Sequence, residues 1–188
     1  ATAGKPAVIV RNGATFDSAG GGVTWGSDAL SLSSITIEGD GMDGNGAFIR
    51  SSGTACRSPS NAQLKLVGNA TVSFKISHNP GAVNLNGYTL TKTGAGNWDA
   101  YNCGSSFTLD GDGGKGGIVI KQGAIQFQQV LITMGSSENV LELAGGSYNS
   151  YPIAWSVKCP WTLKVTAAST VSSQSAPDVN NAHVIWSG

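Results

Sequence analysis

Three sets of side chains in this 188-residue sequence have types and spacings that could do chemistry. The first is acidic. Asp40 and Asp43 lie in Gly39-Asp-Gly-Met-Asp-Gly-Asn-Gly46, and Asp110 and Asp112 in Asp-Gly-Asp-Gly-Gly114. Carboxylates this close in glycine-rich turns are candidate ligands for calcium, which takes about six to eight oxygens. Neither stretch completes an EF-hand loop, because the terminal bidentate Glu is missing. Turns also use Asp and Gly for backbone reasons alone. The same pairs could serve a glycoside hydrolase, which needs two carboxylates about 5 to 9.5 Å apart. A calcium-dependent lyase would add a basic proton acceptor, and Arg50 and Arg57 stand nearest in sequence. No recognisable active-site motif surrounds these residues, so a catalytic reading stays an alternative.

The second set is aromatic. Tyr148, Tyr151 and Trp155 lie in a polar stretch containing Pro152, and Tyr101 in another polar segment. Exposed rings stack on the C–H faces of sugars, which makes polysaccharide the expected partner. Trp98 and Trp161 sit in alternating strands and are expected in the core. The third set is cysteine. Cys56 and Cys103 occupy polar, loop-like settings and form a disulfide if those loops meet; the alternative is three unpaired thiols with Cys159. No C-x-x-C pair is present, so zinc is not indicated. Nucleophilic catalysis is not indicated either: no Gly-x-Ser-x-Gly occurs, His78 reads as a turn residue and His183 opens a terminal strand.

Charge narrows the partners. Eleven basic residues balance eleven acidic ones. Nucleic-acid binding needs a basic face to displace phosphate counterions, so the balance argues against that class. No apolar run approaches the roughly 20 residues of a membrane span. Ala1 begins no signal peptide, and the chain reads as a mature or excised piece with flanking domains of a parent protein as further partners. Scarce lysine with abundant Ser, Thr and Asn suits a secreted or cell-surface location.

The elements that must position these residues are short strands. The 27 glycines are about twice average usage. Apolar spacing is two throughout, with no helical period in any window of 11 to 18 residues. Leu64 and Leu66, then Val72, Phe74 and Ile76, point one way in two strands separated by Gly68-Asn69. Related units recur at Gln63-Leu-Lys-Leu66 and Ala82-Val-Asn-Leu85. Two or three strands per roughly 20 to 25 residues suggest a coiled architecture. About eight coils at about 4.8 Å per strand spacing would give a prism roughly 40 Å tall. The fold class expected is all-β, a parallel β-helix forming one solenoid domain over residues 1–188, with a β-sandwich or jelly roll as the alternative.

Residues 85–98, Leu85-Asn-Gly-Tyr-Thr-Leu-Thr-Lys-Thr-Gly-Ala-Gly-Asn-Trp98, resemble the autotransporter-associated β-strand repeat of bacterial passenger regions. Gly117-Ile-Val-Ile-Lys-Gln-Gly-Ala-Ile-Gln126 resembles the segment that closes such a unit. The likeness covers about a quarter of the chain. It implies a right-handed parallel β-helix of the pectate-lyase-like kind, exported and displayed at a surface, without a catalytic set. In that motif Leu85, Leu90 and Trp98 fill the interior, Gly87, Gly94 and Gly96 turn corners, and Lys92 points outward. The functional expectation is a non-catalytic extracellular module that binds polysaccharide or displays a scaffold. A small polysaccharide lyase or hydrolase, and a purely structural spacer, are the alternatives.

Overall fold

The computed structural model describes residues 6–18, 32–53, 63–76, 78, 82–101, 107–108, 115–128, 132–133, 137–151, 157–159, 161–173 and 184–186. In chain order the strands are β1 (Ala7–Val10), β2 (Phe16–Asp17), β3 (Ser34–Gly39), β4 (Phe48–Arg50), β5 (Gln63–Phe74), β6 (Val83–Asn84), β7 (Thr89–Thr93), β8 (Trp98–Tyr101) and β9 (Phe107–Thr108). They continue with β10 (Gly117–Ile120), β11 (Ala124–Gln128), β12 (Ile132–Thr133), β13 (Val140–Leu143), β14 (Ser147–Tyr151), β15 (Val157–Cys159), β16 (Thr162–Val165), β17 (Thr170–Ser173) and β18 (Val184–Trp186). One 3-10 turn spans Met42–Gly44.

Every strand pair among the described residues is parallel. Sandwiches and jelly rolls are built from antiparallel neighbours, so that alternative is set aside. The longest path runs β1-β3-β5-β7-β10-β13-β16, and a second runs β8-β11-β14-β17. Short ladders β9–β12 and β15–β18 make a third face. Thr89 lies opposite Gly117, Gly117 opposite Val140, and Val140 opposite Thr162. A coil therefore takes 28, 23 and then 22 residues. The fold is a parallel β-solenoid whose third face is only partly laddered.

Stacked side chains make the core, because no coil can bury its own apolar face. Leu90, Ile118, Leu141 and Leu163 form one interior row. Val72, Lys92, Ile120, Leu143 and Val165 form the next. On the second sheet the row is Trp98, Ile125, Tyr148 and Val171. Leu85, Leu90 and Trp98 are fully buried, as their alternation requires. The stretch from Gln63 to Phe74 is one strand rather than two, and it carries a register irregularity against β3 near Gly39. Backbone pairing on both sides before and after Gly68-Asn69 holds the strand in line across them.

At the corner after β7 the geometry depends on two glycines. Gly94 has φ +77°, and a Cβ there would lie 2.5 Å from the Phe74 carbonyl oxygen. Gly96 is needed for a different reason than the turn conformation: its Cβ would lie 2.5 Å from the Ile76 carbonyl carbon. One coil's corner is pressed onto the backbone of the coil before it.

Candidate binding groove

The middle coils are built around rings and buried charge. Phe48 stacks on Phe16 at 5.7 Å and meets Phe74 edge-on at 5.7 Å. His78 packs edge-on against Phe48 at 5.6 Å and Phe74 at 5.1 Å, and bridges to Trp98 through the backbone. His78 is thus a fully buried core residue rather than an exposed turn residue. Burial, with nearby Arg50, pushes its pKa down to about 3, so the ring is neutral at pH 7. The Arg50 guanidinium, itself buried, donates to the Ser18 carbonyl at 3.3 Å.

Lys92 corrects a sequence expectation. It is fully buried and points inward. Leu90 faces the core, and a residue two positions on in a strand shares its face. The ammonium donates to the carbonyls of Gln122 at 2.8 Å, Gly94 at 3.0 Å and Thr93 at 3.3 Å. Those three bonds use its full donor set. Burial lowers its pKa to about 8, and the buried Asp99 works in the opposite direction. Lys92 ties the corner of its own coil to the corner of the next. Its chemistry is structural.

The outer faces hold the accessible sites. Over the middle coils, Ile49 lies opposite Ser73 and Ser73 opposite Thr93. This row floors two adjoining depressions of about 270 and 400 Å³, which share Asn45, Ser73 and Lys75. Met42 and Ile49 line one end, and Gly94 and Gln122 the other. The turn along the rim is held by backbone bonds. The Gly46 amide donates to the Asp40 carbonyl at 2.6 Å, and the Asn45 amide to the Met42 carbonyl at 3.1 Å. The Thr15 hydroxyl donates to the Gly46 carbonyl at 2.9 Å and accepts from the Met42 amide at 2.8 Å. Asp43 takes the left-handed conformation with φ 54°, uncommon for a side-chain-bearing residue.

A separate depression, of about 370 Å³, lies over β10, β13 and β16. Gly116 and Gly117 line it, with charged walls: Lys115 pairs with Glu138 at 3.5 Å and Lys164 with Glu142 at 3.4 Å. Glu142 also accepts from the Thr166 hydroxyl at 2.7 Å. That hydrogen bond first, and Lys164 second, hold its carboxyl below the usual carboxylate range.

The residues singled out from sequence fall as follows. Tyr148 is 1% exposed in the interior row between Ile125 and Val171. Its ring presents no face to solvent, which removes it from a sugar-stacking surface. Tyr101 and Tyr151 lie in β8 and β14, opposite Gln128 of β11. Trp155, Asp110, Asp112, Cys56 and Cys103 lie outside the described residues. Asp40 and Asp43 are both exposed, and the Asp40 carboxylate accepts from the Thr71 hydroxyl. Among the described residues no three His, Cys, Asp or Glu side chains gather in a way that could hold a metal. The groove residues Asn45, Ser73, Lys75, Thr93 and Gln122 escaped sequence reasoning because they come from four separate coils. The signal that would have found them is coil register: aligning Ser73 with Thr93 puts both residues on one outward row, where the Thr93 hydroxyl donates to the Val72 carbonyl at 3.3 Å.

Fold and outer faces together define a three-faced parallel β-solenoid module with a polar groove over its middle coils. Comparison of the chain with protein-family models, with curated proteins and with solved structures finds no match. Among the described residues no helix is long and apolar enough to cross a membrane.

Proposed function

We propose that this chain is a non-catalytic, exported β-solenoid module that binds polysaccharide in the groove over its middle coils. One observation carries the reading. The lining joins amides, hydroxyls and a methionine over adjoining coils, and Lys75 is the one charged side chain among the described residues there. Sites of this kind recognise hydroxyl-rich ligands through a few placed polar groups beside an apolar surface. The resemblance of residues 85–98 to a surface-displayed repeat agrees with it.

Glu138 and Glu142 give the hydrolase alternative no support. Inverting and retaining enzymes both need one acid kept protonated near neutral pH. Glu138 and Glu142 each meet a lysine, and Glu142 is shifted the opposite way. The spacer alternative has one observation in its favour: interior rows reach solvent at Val165, 56% exposed, and Val171, 52% exposed. Such an edge suits stacking on a further coil.

The test is a pull-down on a panel of soluble and insoluble polysaccharides, with reducing ends and unsaturated products assayed in the same tubes. Binding without products is expected. Products would overturn the non-catalytic reading, and neither binding nor products would leave the spacer.

A further inference from the structure

The groove floor repeats with the coils, and this repeat constrains what fits it. Ile49, Ser73 and Thr93 stand on successive strands in one outward row. The Lys121 amide donates to the Lys92 carbonyl at 3.0 Å, so the exposed Lys121 follows Thr93 in the row, and Gln122 stands one position on, at the corner of that coil. Neighbouring strands are about 4.8 Å apart, so the row from Ile49 to the coil of Gln122 runs about 14 Å along the solenoid axis. It offers one side chain per step.

From this repeat we infer that the groove holds a neutral, extended β-1,4-linked hexose chain lying along the solenoid axis, with about one sugar per coil. The inference rests on the polysaccharide-binding reading above. An extended β-1,4 chain advances per sugar by close to one strand spacing, with successive sugars turned over, so Ser73 and Thr93 meet hydroxyls from opposite edges of neighbouring sugars. An α-1,4 chain curls and leaves the row after a sugar or two. Asn45 and Gln122 supply amides that both donate and accept, which matches hydroxyls. Met42, 60% exposed, and Ile49 offer an apolar patch to a pyranose C–H face at one end. The field does not select an acidic chain. Lys75 is the one charged side chain among the described lining residues; with Lys121 at the next step of the row it stands against exposed Asp40 and Asp43 of the rim turn.

The experiment is calorimetric titration of the intact chain with cello-, manno- and chito-oligosaccharides of two to six sugars, and with malto-oligosaccharides of the same lengths. At least one β-1,4 series is expected to gain tenfold or more in affinity from two sugars to four and then level off. Maltotetraose is expected to bind at least tenfold more weakly. The exposed pair Lys75→Ala and Gln122→Ala together is expected to cost tenfold or more for the tetrasaccharide at unchanged melting temperature. Ser73→Arg, which fills the floor, is expected to abolish binding, with circular dichroism checking its fold. Equal binding of maltotetraose, no gain beyond two sugars, or full binding by both variants would overturn the inference. If some polysaccharide is retained in the pull-down while every β-1,4 series fails, this inference falls and the broader reading stands. If no polysaccharide is retained, both fall.

Discussion

The middle coils and the last two coils use one backbone plan with different side chains on each face. Inside the middle coils lie Phe48, Phe74, His78, Trp98 and Lys92, all fully buried. Inside the last coils the rows are Leu141, Leu143 and Tyr148, and they end at exposed Val165 and Val171. Outside, the middle coils carry an almost uncharged groove, whereas the last coils carry lysine–glutamate pairs. The groove stands over the part of the stack that holds the Phe48, Phe74 and His78 ring cluster. A recognition surface assembled from separate coils keeps its spacing only if those coils cannot shift. Lys92, which ties Gly94 to Gln122 beneath the groove, is the clearest device for this.

The contrast is broken most forcefully at the rings. Trp98→Ala removes a buried indole and is expected to cost about 3–5 kcal/mol. Val165→Ala, at the exposed end of its row, is expected to cost less than about 0.5 kcal/mol. Urea melts of the two variants check the difference. Equal losses would mean that the middle and last coils are equally packed.

The second contrast lies within a single interior row. Lys92→Met keeps the volume but leaves the carbonyls of Thr93, Gly94 and Gln122 without their donor. The expected loss is about 1–3 kcal/mol. Leu143→Lys puts the same charge in the same row without those carbonyls, and it is expected to lose more. Thermal denaturation in one buffer compares them directly.

The two buried basic groups make the contrast depend on pH. Between pH 6.5 and about 3 the unfolded chain binds a proton on His78 that the folded chain does not. Stability is therefore expected to fall as pH drops through that window, by up to about 1.4 kcal/mol per pH unit. Lys92 acts with the same sign higher up: from pH 10.5 down to about 8 the unfolded chain binds the extra proton, so stability falls there too. Melts of His78→Gln between pH 6.5 and 5 are expected to lose most of the wild-type slope. An unchanged slope would assign it to other groups.

The smallest effect belongs to the charged outer face. Lys164→Ala is expected to change stability by no more than about 1 kcal/mol, because exposed ion pairs contribute little. The measurement is the urea midpoint at low and high salt, with the wild-type difference also shrinking at high salt.

Much of this architecture could be read from residue order. Period-two alternation gives the strands, and it places Leu85, Leu90, Trp98 and Trp161 inside. The recurrence of Gln63–Leu66 in Ala82–Leu85 is a true parallel pairing, Leu64 opposite Val83. The same alternation also puts Lys92 inside, because it follows Leu90 by two; its charge alone argued for solvent, and three backbone carbonyls answer that charge. Tyr148 was legible only across coils. Its local neighbours Ser147, Asn149 and Ser150 are polar, while its row neighbour Ile125 is buried. The groove was hidden for the same reason: Asn45, Ser73, Thr93 and Gln122 form no local motif and meet only once the coil register is known.

The central claim is that recognition belongs to the middle coils and not to the last ones. Its most direct test is retention on the polysaccharide that binds wild type best, compared between the double variants Lys75→Ala/Gln122→Ala and Lys115→Ala/Lys164→Ala. Loss of retention in the first with near wild-type retention in the second is the predicted result. Full retention by the first with loss in the second would move recognition to the charged face and contradict the account.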